Sequence, residues 1–279
     1  NRELYKMTLK TTLLAATTAI FAAVAGTTAA LAGGLLEEGK LKAGSDLIYP
    51  PYNYLENGVA KGFDADVLAL IAPTMNVEVE FLDTRFANLI PGLRSKKYDM
   101  IASALYVTPE RAKVIDYVSY ALSGASFIVR ADGDKNPKQP SDLCGLRVGS
   151  QQGAAWIPSL QAVSKDECGA SPITIQEFGT SAEAGQALFS NGVDVQIVDA
   201  GVGKAAVDAS NGRLKVASEE MLYPIVIGFG VAKGNDELKS KLEAGLAVIT
   251  ASGEYQKLLD QYNLAVPSEA EIKKSLGIE

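Results

Sequence analysis

The 279-residue chain contains no histidine and two cysteines, and its 33 acidic residues outnumber its 26 basic residues. The absence of histidine excludes Ser-His-Asp and Cys-His nucleophile systems and any His-ligated zinc or iron site. An acidic balance, with a pI near 4.9, argues against a nucleic-acid partner because there is no basic surplus to neutralise phosphates. The composition therefore favours binding over catalysis, with no cofactor and no metal.

The first 32 residues have the layout of a secretory signal peptide. Lys10 supplies the positive region, residues 13–24 the apolar stretch and residues 30–32 (Ala-Leu-Ala) a cleavage site. The apolar stretch contains several threonines and is shorter than the about 20 residues of a membrane span, so a transmembrane anchor is the weaker alternative. Residues 1–6 precede the first methionine and resemble a misplaced start. We therefore expect an exported, periplasmic protein.

Export also sets the expectation for the two cysteines. In an oxidising compartment Cys144 and Cys168 are expected to form a disulfide that closes a loop of about 24 residues, with two buried free thiols as the alternative. A disulfide that closes such a loop would raise the free energy of unfolding by on the order of 3 kcal/mol.

After residue 32, strand-like and helix-like segments alternate in chain order. The first run predicts strands over 40–48, 77–82 and 98–102, helices over 63–72 and 87–95, and a helical turn over 109–113. The second run predicts strands over 147–150, 173–178 and 193–199, with helices over 154–163 and 181–191. Two extended segments, 126–129 and 225–232, and two closing helices, 236–250 and 253–262, complete the pattern.

This alternation is typical of βαβ units and predicts a mainly parallel sheet. Two α/β lobes joined by two extended crossings explain the order better than one continuous sheet. We predict a first lobe from residues 33–125, a second lobe from residues 126–225 and a return to the first lobe over residues 226–279.

Four short motifs carry a resemblance to a known family. They are Gly62-Phe63-Asp64-Ala65-Asp66-Val67, Tyr49-Pro50-Pro51-Tyr52, Leu89-Ile90-Pro91-Gly92-Leu93 with Tyr98-Asp99, and Thr108-Pro109-Glu110-Arg111. Together they resemble the family 3 solute-binding proteins, the periplasmic receptors of polar-amino-acid ABC importers, over residues 38–265. The resemblance implies a two-lobed α/β periplasmic binding protein fold of type II, with two extended hinge crossings. It also implies a monomer that captures a small molecule and passes it to a membrane permease without catalysis.

The resemblance assigns the charged ends of the ligand to four residues. Arg111 would grip the ligand α-carboxylate, for which its planar guanidinium is well shaped. Asp199 would accept hydrogen bonds from the α-ammonium group, although capping of a helix is the alternative role for this residue. Ala104 would offer its carbonyl to the ammonium group, and Tyr106 its backbone N–H to the carboxylate.

A loop of the second lobe is expected to meet the same carboxylate. Gly153, Ala154 and Ala155 resemble a loop whose amides bind anions at a helix N-terminus. Trp156, the only tryptophan, follows this loop and is expected near the cleft.

The remaining assignments concern the ligand side chain. Tyr49 and Phe86 resemble two aromatic walls, with ordinary core positions as the alternative, and Asp46 with Gln151 would reach the distal end of the ligand. Relatives often carry Ser or Thr where this chain has Tyr106, Ala154 and Ala155.

These departures leave the identity of the ligand open. We hypothesise a polar ligand bulkier than glutamine, such as an opine-type conjugate, and a basic amino acid paired with Asp46 is the main competitor. An exported dehydratase on the same fold, or a sensory module, are the alternatives to a transport receptor. Asp64 and Asp66 are interpreted as structural residues at a helix start.

Overall fold

The computed structural model describes residues 34–278, so the predicted signal peptide lies outside the described residues. The strands are β1 (Lys40–Ser45), β2 (Ile48–Tyr49), β3 (Asn53–Glu56), β4 (Val59–Lys61), β5 (Glu78–Asp83), β6 (Met100–Ile101), β7 (Ile115–Arg130), β8 (Arg147–Gln151), β9 (Thr174–Phe178), β10 (Val195–Asp199), β11 (Leu214–Val216) and β12 (Leu222–Ala232). The helices are α1 (Phe63–Met75), α2 (Leu89–Arg94), α3 (Pro109–Ala112), α4 (Ile157–Asp166), α5 (Ser181–Phe189), α6 (Ala200–Ala209), α7 (Asp236–Ala251), α8 (Glu254–Tyr262) and α9 (Glu269–Leu276).

The main sheet has the order β5-β1-β6-β12-β7-β10-β8-β9, and β11 pairs with β7. β1 is parallel to β5 and β6, and β8 is parallel to β9 and β10. Between these two groups the long strands β7 and β12 run antiparallel to each other and to their other neighbours. The fold is the expected mixed α/β periplasmic binding protein fold with two extended crossings.

Two details of the sheet differ from the prediction. The crossing strands have 16 and 11 residues, much longer than the four and eight predicted, so hydrogen bonding continues from one parallel group to the other. Their antiparallel ladders also make the sheet mixed rather than mainly parallel. The cause is that apolar character in β7 begins at Ile115, well before the segment that the sequence marks as extended.

Most predicted elements lie within a few residues of their observed bounds, but α4 begins three residues late, at Ile157. Pro158 lies in its first turn, where the missing N–H and fixed φ of proline are tolerated, and this favours a helix start beside it. The small sheet β2-β3-β4 and the terminal helix α9 were not predicted.

The GFDAD motif starts α1. Gly62, at the N-cap, has a φ of 108°. Asp64 and Asp66 lie in the first turn, where the positive end of the helix dipole stabilises carboxylates. Phe63 packs with Tyr120 in the fully buried core beneath this turn. The motif is therefore a helix start anchored in the core, as its structural interpretation requires.

Cys144 and Cys168 form the predicted disulfide, with 5.1 Å between their Cα atoms. The bridge joins the segment before β8 to the end of α4. Within residues 34–278, no helix is long and apolar enough to cross a membrane.

Candidate functional site

Nine of the twelve predicted site residues line one cavity of about 20 Å³. That volume holds roughly one water molecule. The nine are Tyr49, Phe86, Ala104, Tyr106, Arg111, Gln151, Ala154, Ala155 and Trp156. Asp46, Asp199 and Gly153 do not line it but contact residues that do.

The cavity lies where several strands end. Asp46 follows β1, Ala104 follows β6, Gln151 ends β8 and Asp199 ends β10. The carboxyl ends of parallel strands in open α/β folds are the usual location of ligand sites. The topology thus brings together residues that are more than 150 positions apart in sequence.

The partly buried Arg111 side chain crosses the cavity. Thr108 caps α3 by accepting a hydrogen bond from the Arg111 backbone N–H. The guanidinium donates to the carbonyl of Tyr106 at 2.8 Å and to that of Gly153 at 2.9 Å, and it lies 5.5 Å from the centre of the Phe86 ring. Burial lowers the pKa of Arg111 from its usual value. Its partners are neutral, and no carboxylate of residues 34–278 forms an ion pair with it.

Asp199 is fully buried and caps α6, as the alternative interpretation held. Its Oδ1 accepts the backbone N–H of Gly201 at 2.9 Å, and its Oδ2 accepts the hydroxyls of Ser123 at 2.6 Å and Tyr106 at 2.7 Å. Burial raises the pKa of Asp199, and these hydrogen bonds oppose the shift. The predicted partner of a ligand ammonium group is therefore occupied by groups of the protein.

Tyr106 makes contacts with both its side chain and its backbone. Its carbonyl accepts hydrogen bonds from Arg111 and, at 3.2 Å, from the Tyr117 hydroxyl. Its phenol oxygen also lies 2.8 Å from the carbonyl of Gly124, and its ring packs edge-on against Trp156 at 5.6 Å. Among the described residues nothing accepts its backbone N–H, so this donor stays available for the predicted role.

Ala104 adopts a left-handed backbone conformation with φ 44°, which is unusual for alanine. Its N–H donates to Oδ2 of the buried Asp64 at 2.7 Å. The Asp64 carboxylate also accepts Asn53 Nδ2 at 2.8 Å and the Tyr120 hydroxyl. Asp64 therefore holds the Ala104 turn at the cavity wall, which sequence reasoning did not reveal.

The distal end of the cavity contains an ion pair that the sequence did not indicate. Asp46 lies 2.8 Å from the Arg85 guanidinium and accepts the Phe86 N–H at 3.1 Å and Gln151 Nε2 at 2.9 Å. Burial raises the pKa of Asp46, and Arg85 opposes that shift. In the sequence, only the position of Arg85 next to the predicted site residue Phe86 indicates that Arg85 could belong to the site. Neither Asp46 nor Asp199 lines the cavity, so neither supplies the cleft carboxylate that would distinguish the dehydratase alternative.

The loop before α4 differs in part from its expected geometry. Gly153 has a φ of 79°, and the Ala154 N–H donates to the Gln151 carbonyl at 3.2 Å, which engages one of the three predicted amides. Because α4 starts at Ile157, the loop precedes the helix rather than forming its first turn. Trp156 Nε1 donates to Ser150 Oγ at 2.8 Å, which fixes the indole against the cavity.

A larger groove of about 1050 Å³ lies elsewhere, along β7, α7 and α9. Four of its charged side chains form ion pairs, Lys233 with Asp116 and Lys239 with Glu243. The small cavity, by contrast, concentrates buried charge, and we treat it as the candidate site.

Residues 41–265 match the bacterial extracellular solute-binding proteins, family 3. The chain is 29% identical over 80% of its length to ABC transporter arginine-binding protein 1 of Escherichia coli K12, covering 90% of that protein. It is 26% identical over 80% of its length to the histidine-binding periplasmic protein of Salmonella typhimurium LT2, covering 87% of that protein. Among solved structures, an ancestral arginine-binding protein bound to arginine superposes with a TM-score of 0.74 at 32% identity, covering 80% of this chain and 98% of that one.

Proposed function

Because this chain belongs to the bacterial extracellular solute-binding proteins of family 3, we propose that it captures an amino acid or amino-acid derivative in the small cavity. It then delivers that ligand to the membrane permease of an ABC transporter. The observation that carries the proposal is the Arg111 guanidinium, a cation held at the cavity wall by neutral groups, two carbonyls and the Phe86 ring.

A desolvated cation without a counter-ion is costly, and a ligand carboxylate would remove that cost. The guanidinium presents paired N–H donors that match two carboxylate oxygens. The backbone N–H of Tyr106, which no described residue accepts, supplies a further donor nearby. We therefore assign the ligand carboxylate to Arg111 and this amide.

The walls of the cavity are suited to a ligand with a flat or extended side chain. Tyr49, Phe86 and Trp156 supply aromatic surface, and Gln151 supplies an amide at the distal end. An opine-type conjugate fits this combination. Relatives named for arginine and histidine keep a basic amino acid as the competitor, although Asp46 is already paired with Arg85.

Capture requires the cavity to open. The hydrogen bonds from Gln151 to Asp46, from Arg111 to Gly153 and from Tyr106 to Asp199 each join a residue of the predicted first lobe to one of the predicted second lobe. We propose that residues 33–125 with 226–279 and residues 126–225 move apart by breaking these bonds. A ligand that replaces them would favour the closed form, which the permease recognises. This cycle takes place in the periplasm, after removal of residues 1–32.

A ligand screen with a matched pair of variants tests the proposal. Thermal unfolding with amino acids and conjugates identifies ligands, because a ligand at about 1,000 times its Kd stabilises the protein by roughly 4 kcal/mol. Calorimetry on Arg111→Ala should then show an affinity loss of about 100-fold or more, since one partner of a buried charge pair is removed. Arg94→Ala, which removes an exposed arginine at the end of α2, is the control. Equal affinities of Arg111→Ala and wild type would refute the carboxylate assignment.

A further inference from the structure

We propose that the cavity selects a net anionic carboxylate without a primary α-ammonium group, because the Tyr106 phenol occupies the acceptor that such a group would need. This inference rests on the proposed function and narrows its ligand class.

The first step concerns Asp199. Its Oδ2 accepts two short hydrogen bonds, from Ser123 at 2.6 Å and Tyr106 at 2.7 Å, and its Oδ1 accepts the Gly201 N–H. The residue is 1% exposed and does not line the cavity, whereas Tyr106 does. The phenol thus lies between the cavity and the carboxylate, and an ammonium group in the cavity would meet the phenol instead.

The second step concerns the only other predicted acidic residue of the site. Asp46 Oδ1 lies 2.8 Å from the Arg85 guanidinium in an ion pair but accepts no hydrogen bond from the described residues, and Asp46 Oδ2 accepts the Phe86 N–H and Gln151 Nε2. A basic ligand side chain would have to displace Arg85 to reach it. Neither carboxylate therefore offers a free counter-charge to a cationic ligand group.

The third step is the charge balance that remains. Arg111 has carbonyl partners only, so the cavity presents one cation without an anion. A zwitterionic amino acid would satisfy Arg111, but its ammonium group would meet only neutral acceptors, the Ala104 carbonyl and the Tyr106 phenol. An ammonium group that is desolvated without a counter-charge is costly. A ligand that contributes only negative charge near Arg111 meets no such penalty.

This reasoning defines a chemical class. A 2-oxo acid and an N-acyl amino acid both keep the carboxylate and lack the cation. An N-carboxyalkyl conjugate keeps a secondary ammonium group, but its second carboxylate makes the ligand net anionic and supplies a counter-charge within the ligand itself.

Matched pairs of probes test the inference on the whole exported protein. We would compare L-phenylalanine and L-glutamine, each with its 2-oxo acid and its N-acetyl derivative, by thermal unfolding and calorimetry. The expected result is that in at least one set an ammonium-free member binds about tenfold or more tightly than the parent amino acid. Tighter binding of the parent amino acids would overturn the inference and leave the proposed function standing. Absence of binding by every probe would count against the proposed function itself.

Two substitutions separate the role of the phenol from a general loss of structure. Tyr106→Ser uncovers Asp199, so the ratio of amino-acid to 2-oxo-acid affinity should rise by about 10- to 100-fold, the range of a hydrogen bond to a buried charge. Tyr106→Phe frees the Asp199 Oδ2 acceptor but keeps the ring between it and the cavity, so the preference for the ammonium-free ligand should fall less than in Tyr106→Ser. Because both ligands are measured on the same variant, partial destabilisation does not affect the ratio. An unchanged ratio in Tyr106→Ser would overturn the inference.

Discussion

Replacing Asp64 with alanine should destabilise the fold strongly, although Asp64 is not one of the predicted ligand-binding residues. Its carboxylate accepts hydrogen bonds from the Ala104 N–H at 2.7 Å, from Asn53 Nδ2 at 2.8 Å and from the Tyr120 hydroxyl. Truncation would leave three buried donors without an acceptor, at about 1–3 kcal/mol each. Burial also raises the pKa of Asp64, because the buried carboxylate charge is unfavourable. Removing that charge therefore recovers part of the lost stability. We expect the free energy of unfolding to fall by about 4 kcal/mol.

Asp64→Asn is the informative comparison, because it keeps one carbonyl acceptor at nearly the same volume and should cost about half as much. Urea unfolding followed by circular dichroism measures both values. Because Asp64 also holds Ala104 in its left-handed conformation, Asp64→Asn should weaken ligand affinity beyond its effect on stability. A loss below about 1 kcal/mol in Asp64→Ala would show that the three donors find other partners, and would refute this account of the motif.

Three further predictions concern stability. Gly62→Ala should lower the free energy of unfolding by about 2–4 kcal/mol in urea titrations, because φ is 108° there and a methyl group would collide with the backbone of Pro51 and Tyr52. An effect near zero would be inconsistent with this geometry. The variant with Cys144→Ser and Cys168→Ser should lose about 3 kcal/mol of stability and keep the wild-type ligand preference, and a changed preference would show that the bridge shapes the site. Hydrogen bonds from Arg147 hold the pKa of Asp194 below its usual value, so the stability they add is present above about pH 4 and is lost as the pH falls through the lowered pKa. The difference in unfolding free energy between wild type and Asp194→Asn, about 1 kcal/mol at pH 7, should therefore shrink toward pH 3, and a constant difference would contradict the assignment.

The parts of the fold that were predictable have strong local signals. Alternating apolar segments and helix-start motifs placed β1, β5, α1 and most later elements within a few residues of their observed bounds. The β2-β3-β4 sheet has strands of two to four residues, too short for a periodic pattern. The continuity of the main sheet depends on pairing between β7 and β12, about 100 residues apart in sequence, and local patterns contain no information about that pairing.

The candidate site shows the same division. The motifs and the family resemblance identified nine residues that line one cavity, because a motif specifies the residue type at each position of a site. Motifs do not record which groups already satisfy one another. The pairing of Asp46 with Arg85 and the contact of Asp199 with Tyr106 arise from side-chain directions in the folded chain, and they change what the site can bind.

In this proposal, ligand preference depends less on Arg111, which binds the carboxylate, than on Arg85 and Tyr106. These two residues occupy the acidic side chains of Asp46 and Asp199. Within residues 34–278, the buried carboxylates of Asp46 and Asp199 both have protein donors, and Arg111 has no carboxylate. A hydroxyl-bearing small residue in place of Tyr106 would expose Asp199 and restore a place for an ammonium group, with Arg111 unchanged. We therefore expect the side chain at position 106, by covering or uncovering Asp199, to decide whether this chain binds zwitterionic or anionic ligands.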